Sequence, residues 1–479
     1  MIALALTACA VHTVKPGLEL ERIHLADAFD RSGNGAPQHE KWWTVYGDAA
    51  LDRAVDRAVE GNLNLAAAFE RVTQAGALVR QAGAAWWPSV DVSVAATRQR
   101  MNIYTGDFLP DEAAGLVKDT GPKGIEVGAY PMSVAATYEV DLWGRLGHSQ
   151  GSAKARARAG ALDAAALVMT VRAQVVDLWF ALAETRALRA LLADQIATAA
   201  TYLDLTVQRF ALGQASALDV RQQRRELASI RAELPLIEAQ HEVLAQQLAV
   251  LSGRAPQGAL AAELPEAHLP DAPAVPDAGL PAELLRRRPD LLAHEALVRA
   301  ADHDIGVALA NRFPSLRLTA GTGYQDREVG DLFGAWIWNL ASNLTAPIFD
   351  AGRRKAEVER RRSVLTERLR GYEQAALQAM AEVEEALTRG ARQREHLAAL
   401  DVQLVEARAT LQEARARYLR GLISYLPVLG ALGSVHSTER ARLRAHRTLL
   451  SYSVALARAL GGGWEPTAEA TSQTAGASR

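Results

Sequence analysis

The sequence predicts a mixed fold. Long α-helices that coil on one another are joined to short strands that close a membrane β-barrel, and the whole unit is built twice in one chain. Three observations predict it: an internal repeat, a heptad stripe in each copy, and segments in which apolar and polar residues alternate.

The repeat comes first. Residues 62–65 and 86–90 align with 288–291 and 312–316 at a fixed offset of 226, which puts Pro88 on Pro314 and Ser89 on Ser315. Further along, the offset drops to 208 and stays there for over a hundred residues. Gly144 and Arg145 then fall on Gly352 and Arg353, Gly213 on Gly421, Ser216 on Ser424, and Gly253 on Gly461. The unit is too long for a solenoid repeat, so it reads as two copies of one fold unit. The copies are expected at residues 51–253 and 282–463. Residues 254–281 form the linker, in a proline-dense stretch that excludes long helix. Residues 464–479, rich in Ser, Thr, Ala and Gly, are expected to be a disordered tail.

The helices follow from a heptad. From Leu365 and Leu369 through Val383, Leu397, Leu404 and Ala414 to Tyr418, apolar residues recur at alternating spacings of four and three. Subtracting 208 gives the same stripe in the first copy, broken only at Thr185 and Arg189. Such a period coils helices left-handedly around their neighbours. Each long helix runs from its Gly-Arg step to Gly213 or Gly421, about 65 residues or roughly 100 Å at 1.5 Å per residue. Ser216 and Ser424 are the expected N-caps of return helices that end near Gly253 and Gly461, with a kink at Pro235. Shorter helices over about 51–86 and 282–312 would stack with the return helices to match the long ones.

Four strands are expected, at about 87–102, 126–143, 313–325 and 335–349. Val90, Val92 and Val94 alternate with Asp91 and Ser93; Trp336, Trp338, Leu340, Leu344 and Ile348 alternate with Asn339, Asn343 and Thr345. One face suits lipid and the other water, with tryptophans near the strand ends as in an aromatic girdle. A soluble half-buried sheet shows the same period. Four strands leave two open edges, so a barrel needs a dimer with eight strands or a trimer with twelve. The loops at about 103–125 and 326–334 would face outward.

Composition bounds the rest. The 479 residues are 49% apolar and 23% charged, and a formal net charge of −2 offers no basic stripe for nucleic acid. The single cysteine, Cys9, excludes a disulfide framework. The run Leu6-Thr7-Ala8-Cys9 resembles a bacterial lipobox, so Cys9 is expected to carry lipid, with residues 1–8 a signal-peptide remnant. Nothing basic precedes Cys9, which departs from a full signal peptide. Residues 9–50 read as a lipid-anchored, extended equatorial segment. No uninterrupted run of 18 or more apolar residues occurs, so no transmembrane helix is expected.

Trp42 and Trp43 with Tyr46, Gly47 and Asp48, then Asn62, the Pro-Ser steps, residues 141–145, residues 347–353, and Tyr418 with Gly421 together resemble the TolC-like outer-membrane efflux proteins. The match is closest to the NodT-type lipoprotein branch that serves resistance–nodulation–division pumps. It covers about residues 10–463. The resemblance implies a homotrimer with a twelve-stranded barrel and a helical periplasmic tunnel. It implies a passive exit duct for drugs or other small toxic compounds, with a periplasmic adaptor, an inner-membrane pump and outer-membrane lipid as partners. The periplasmic tip would be the turns at Gly213 and Gly421 with Ser216 and Ser424. Asp219 matches a family tip carboxylate and Tyr418 a tip tyrosine, whereas Ile423 stands where an arginine or an acid is usual. Pro427 and Gly430 replace two gate aspartates. A hydrophobic constriction near Ile423 and Tyr425 is therefore expected, with Arg209, Arg417, Arg420 and Asp219 meeting the adaptor.

No catalytic set, cofactor motif or metal cluster emerges, because the eleven histidines are scattered along the chain. A duct for type I protein secretion and a soluble coiled-coil scaffold are the competing readings; the lipobox disfavours the first.

Overall fold

A computed structural model describes residues 11–14, 27–31, 41–103, 123–258, 263–326, 333–462 and 464. Cys9 and most of the two outward loops lie outside the described residues.

The duplication is visible in the helix lengths. The long helices α3 (Arg145–Ala211) and α7 (Arg353–Leu419) each have 67 residues. The return helices α4 (Ala217–Leu251) and α8 (Tyr425–Ala459) each have 35. Each expected leading helix is two helices. In the first copy α1 (Ala49–Gly61) is followed by α2 (Leu63–Ala84), and in the second α5 (Pro281–Arg287) is followed by α6 (Pro289–Ala310). The break falls at Asn62 and at Arg288, which are repeat-equivalent. Pro289 forces Arg288 out of the helical region (φ −84°, ψ 121°). Asn62 leaves it to cap α2, its side-chain oxygen accepting from the Leu65 amide at 3.0 Å while its amide nitrogen donates to the Leu251 carbonyl at 2.7 Å. Helix α4 runs on through Pro235.

The chain divides into two compact units. The first (Met1–Leu18, Gln74–Ala157 and Leu297–Arg368) holds the sheet. Strands β1 (Ser89–Val94) and β2 (Thr97–Ile103) both pair antiparallel with β3 (Lys123–Val140). Strand β3 pairs with β4 (Ser315–Asp326), and β4 with β5 (Trp336–Thr345). Strands β1 and β2 keep one register and are a single predicted strand interrupted at Ala95. That residue faces Pro131, which accepts the Ala95 amide at 3.0 Å but has no N–H to return. Cross-strand rows align the two faces. Val92, Val134, Thr322 and Trp338 form one row, and Val90, Ala136, Ala320 and Leu340 another.

The apolar face is bare. Val92 is 66% exposed, Trp338 67% and Leu340 75%. On the other face Glu139 accepts from Arg145 Nε at 2.6 Å and is paired across the ladder with Arg317.

The second unit (Glu19–Thr73, Arg158–Ala296 and Leu369–Arg479) holds the main core. Leu51, Val55 and Leu65 pack with Val175, Trp179, Phe180 and Leu182 of α3 and with Leu450 and Val454 of α8. A short 3₁₀ turn, Trp42–Tyr46, closes this core. Asp48 caps α1 with one oxygen and accepts the Trp179 indole N–H with the other, at 2.7 Å. The heptad stripe of α7 is buried at Ala376, Ala379, Val383, Ala386, Leu404 and Ala414. Thr185, which breaks the stripe of α3, is 1% exposed and hydrogen-bonded to His241 at 2.9 Å, so the polar interruption is satisfied.

One expectation is amended. Helix α3 contains an 18-residue window apolar enough to cross a membrane by length and composition. Half of that window is buried by packing within the chain.

Candidate functional site

The two helix hairpins of the second unit end in matched turns. Gly213 (φ +70°) and Gly421 (φ +73°) take the left-handed conformation that ends a helix. The amide of Gln214 donates to Arg209 O at 2.8 Å and that of Gly213 to Phe210 O at 2.9 Å; Leu422 to Arg417 O and Gly421 to Tyr418 O, both at 3.0 Å, repeat the pattern. Both are Schellman closures, which satisfy the last carbonyls of α3 and α7.

The return helices begin differently. Ser216 and Asp219 form a capping box: the Ser216 amide donates to Asp219 Oδ2 at 2.8 Å, and the Asp219 amide donates to Ser216 Oγ at 3.2 Å. Ser424 stands at the same place in the second copy but makes no side-chain cap bond. The residue equivalent to Asp219 is Pro427, which has neither an amide hydrogen to give nor a carboxylate to reach back.

Between the hairpins lies a small core of Ala414, Tyr418, Tyr425, Val428, Leu429 and Ala431, with Tyr202 and Ile423 packed against it. Tyr425 is 2% exposed. Its hydroxyl donates to Gln223 Oε1 at 2.6 Å, and Gln223 Nε2 donates to the Ala199 carbonyl at 2.8 Å. Burial pushes the Tyr425 phenol well above its ordinary range, so it stays protonated and remains a donor. The Tyr418 ring lies 5.4 Å from that of Tyr425, and the Arg209 guanidinium sits over the Tyr418 ring at 4.6 Å from its centroid. The Tyr418 and Tyr202 hydroxyls and Arg209 Nε are buried without a partner.

Tyr425 is taken up by the packing of its own chain, and its hydroxyl by Gln223. Ile423 is half-buried in the same core. The apolar side chains that the tip presents are Leu212, Leu218, Leu422 and Leu426, each more than half exposed. Arg209 is likewise held by Tyr418, whereas Arg417 is exposed and paired with Glu413 at 2.6 Å, and Arg420 is exposed. Gln223 went unnoticed in the sequence. Its signal was available: Val220, Gln223, Leu227 and Ile230 follow a three-four-three spacing, and a polar residue inside such a stripe asks for a buried partner.

Residues 54–254 and 280–462 match the family model described as "Outer membrane efflux protein". The pyoverdine export outer membrane protein OpmQ of Pseudomonas aeruginosa is 33% identical over 442 residues, covering 89% of this chain and 88% of that protein. The toluene efflux pump outer membrane protein TtgF of Pseudomonas putida is 30% identical, covering 88% and 85%. Among solved structures, the outer-membrane channel OprN superposes with a TM-score of 0.85 at 27% identity, covering 95% of this chain and all of that one. The open state of the MtrE channel of Neisseria gonorrhoeae gives 0.80 at 25% identity, covering 94% and 98%.

Proposed function

The chain belongs to the outer membrane efflux protein family, and we propose that three copies of it close a twelve-stranded barrel that serves as the passive exit duct of a tripartite efflux system. The observation that carries this reading is the bare apolar face of the sheet, together with two open edges, at β1/β2 and at β5. A soluble sheet of this composition would bury that face against another layer. Lipid covers it instead, and lipid also forbids open edges, so neighbouring copies must pair edge to edge. Three copies supply the even strand count that such barrels use.

The duct needs no pocket for its cargo. Its substrates are assigned as drugs or other small toxic compounds, the class to which the toluene named for one relative belongs. An inner-membrane pump of the resistance–nodulation–division type supplies the energy, through a periplasmic adaptor that meets the tip. The exposed leucines at positions 212, 218, 422 and 426 give that adaptor an apolar contact, flanked by Arg417 and Arg420.

Lipidation of Cys9 fits the same picture. His12 Nε2 hydrogen-bonds Asp302 Oδ1 at 2.7 Å, in the unit that carries the sheet.

The test is the protein mass of the species extracted from membranes, by light scattering with the detergent contribution removed. Three copies of the 51.5 kDa chain in the outer-membrane fraction support the duct. A monomer or dimer in the soluble fraction leaves a coiled-coil scaffold as the better account.

A further inference from the structure

A cavity of about 300 Å³ lies in the second unit, between the 3₁₀ turn Trp42–Tyr46, the linker at Pro273–Pro276, and helices α7 and α8. Its floor is carbon: Leu387, Leu449 and Leu456 are each nearly fully buried. Two cations stand in its lining: Lys41, which pairs with Asp56 at 3.8 Å, and Arg394. Most exposed arginines along α7 have acidic partners close by; Arg389 pairs with Glu385 at 2.5 Å and Arg392 with Glu395 at 2.8 Å. Arg394 has none. Its one hydrogen bond goes to the Pro273 carbonyl at 3.4 Å, and no ion pair involves it among the described residues. Burial alone depresses its pKa, with no carboxylate close enough to oppose it. Trp42, on the same wall, is 7% exposed and its indole N–H has no acceptor. Tyr46 is already occupied, sharing a hydrogen bond with Ser453 at 2.7 Å. A charged group that is half-buried without a counter-ion costs stability, and here it is set at the edge of an apolar hole.

We infer that this cavity binds a small amphipathic anion, a carboxylate with an acyl chain of medium length. The carboxylate meets Arg394 and the chain lies against Leu387, Leu449 and Leu456. A carboxylate matches the planar fork of a guanidinium, and the mixture of apolar walls with a fixed charge is the usual make-up of a ligand pocket. The inference does not depend on the duct: the site sits wholly within one helical unit of one chain.

The experiment uses the full-length protein held in amphipol, with decanoate as the probe and calorimetry as the readout. Decanol keeps the chain without the charge, and butyrate keeps the charge without the chain. The expected result is saturable decanoate binding at one per chain, at least tenfold tighter than either control. Arg394→Gln should weaken it at least tenfold, and Arg394→Lys less. Gly390→Leu fills the cavity from α7 and should abolish binding. A Cβ at Gly390 meets only Arg394 Nη1 at 3.7 Å and Tyr452 Cβ at 4.0 Å, so that variant has room to fold. Absence of saturable binding overturns the inference. So does decanol binding as tightly as decanoate, or an Arg394→Gln affinity equal to that of the unaltered protein.

Discussion

The imidazoles of His148 and His303 meet Nδ1 to Nδ1 at 3.2 Å, bridging α3 and α6. Each ring lies over a glycine of the opposite helix. A Cβ on Gly306 would come within 2.5 Å of the His148 ring, and a Cβ on Gly151 within 2.4 Å of the His303 ring. The His12 ring joins at 5.6 Å from His148, and the His12 backbone carbonyl also hydrogen-bonds His148. The cluster therefore ties the first described residues of the chain to the helices beside the sheet.

The first prediction concerns those glycines. Gly306→Ala or Gly151→Ala should cost about 1–3 kcal/mol by overpacking, partly offset by about 1 kcal/mol of helix propensity. Adding His148→Ala to Gly306→Ala should recover most of the loss in Tm. A Gly306→Ala protein that melts higher than the parent would show that the ring is free to move aside.

The same pair sets a pH dependence. Burial, and then His12, hold the His148 imidazole below its ordinary value of 6.5. Burial, and then His148, do the same for His303, while Asp141, Asp302 and Asp304 pull upward without prevailing. As pH falls past 6.5 the unfolded chain takes up protons that the folded chain refuses. The stability from these groups is thus complete above 6.5 and declines as pH drops through the folded values. Tm should fall between pH 7.5 and pH 5.5, and by less in the double variant His148→Gln/His303→Gln. Equal losses in the two proteins would remove the pair as the cause.

How much of this was legible follows from distance along the chain. The repeat, the heptads and the alternating strands are local periodicities, and helix lengths of 67 and 35 residues in both copies match them. The helix break at Arg288 had a visible cause in Pro289, and that at Asn62 only its repeat equivalence. The His148–His303 pair could not be read: the residues are 155 positions apart, and neither has a histidine at its repeat-equivalent position. The burial of Tyr425 was not legible, because a tip aromatic next to a turn looks exposed until the hairpin facing it supplies Gln223.

The tip asymmetry gives a matched pair. Ser216→Ala removes a cap that accepts the Asp219 amide, and should cost about 1 kcal/mol. Ser424→Ala removes a hydroxyl that caps nothing and should be near neutral. Amide exchange of the first turn of each return helix distinguishes them: it should accelerate at residues 217–220 only. Equal acceleration in both turns would mean that Ser424 caps its helix in solution.

Tyr425 and Tyr418 give another. Tyr425→Phe strips the donor from Gln223, which is 0% exposed, and an unsatisfied buried amide costs about 1–3 kcal/mol. Tyr418→Phe removes a hydroxyl that has no partner and should cost little. If the tip governs passage, cells carrying Tyr425→Phe should become more susceptible to a large hydrophilic antibiotic, while Tyr418→Phe cells should not. Identical susceptibility in both would separate tip packing from gating.

The last prediction separates lipid from water on the sheet. Val90 and Asp91 are adjacent on β1 and point to opposite faces. Val90 lies in one row with Ala136, Ala320 and Leu340; Asp91 faces Ala135, which pairs in turn with Gly321. Both residues are exposed in the single chain, so a soluble sheet would accept arginine equally at either. In a barrel the two sites differ. An arginine at Val90 meets hydrocarbon, at a cost of about 2–4 kcal/mol if it lies at the bilayer midplane and less toward an interface. An arginine at Asp91 meets water beside small neighbours and should be tolerated. The readout is the yield of detergent-resistant trimer from outer membranes. It should collapse for Val90→Arg and persist for Asp91→Arg, because only lipid makes one face of this sheet intolerant of charge.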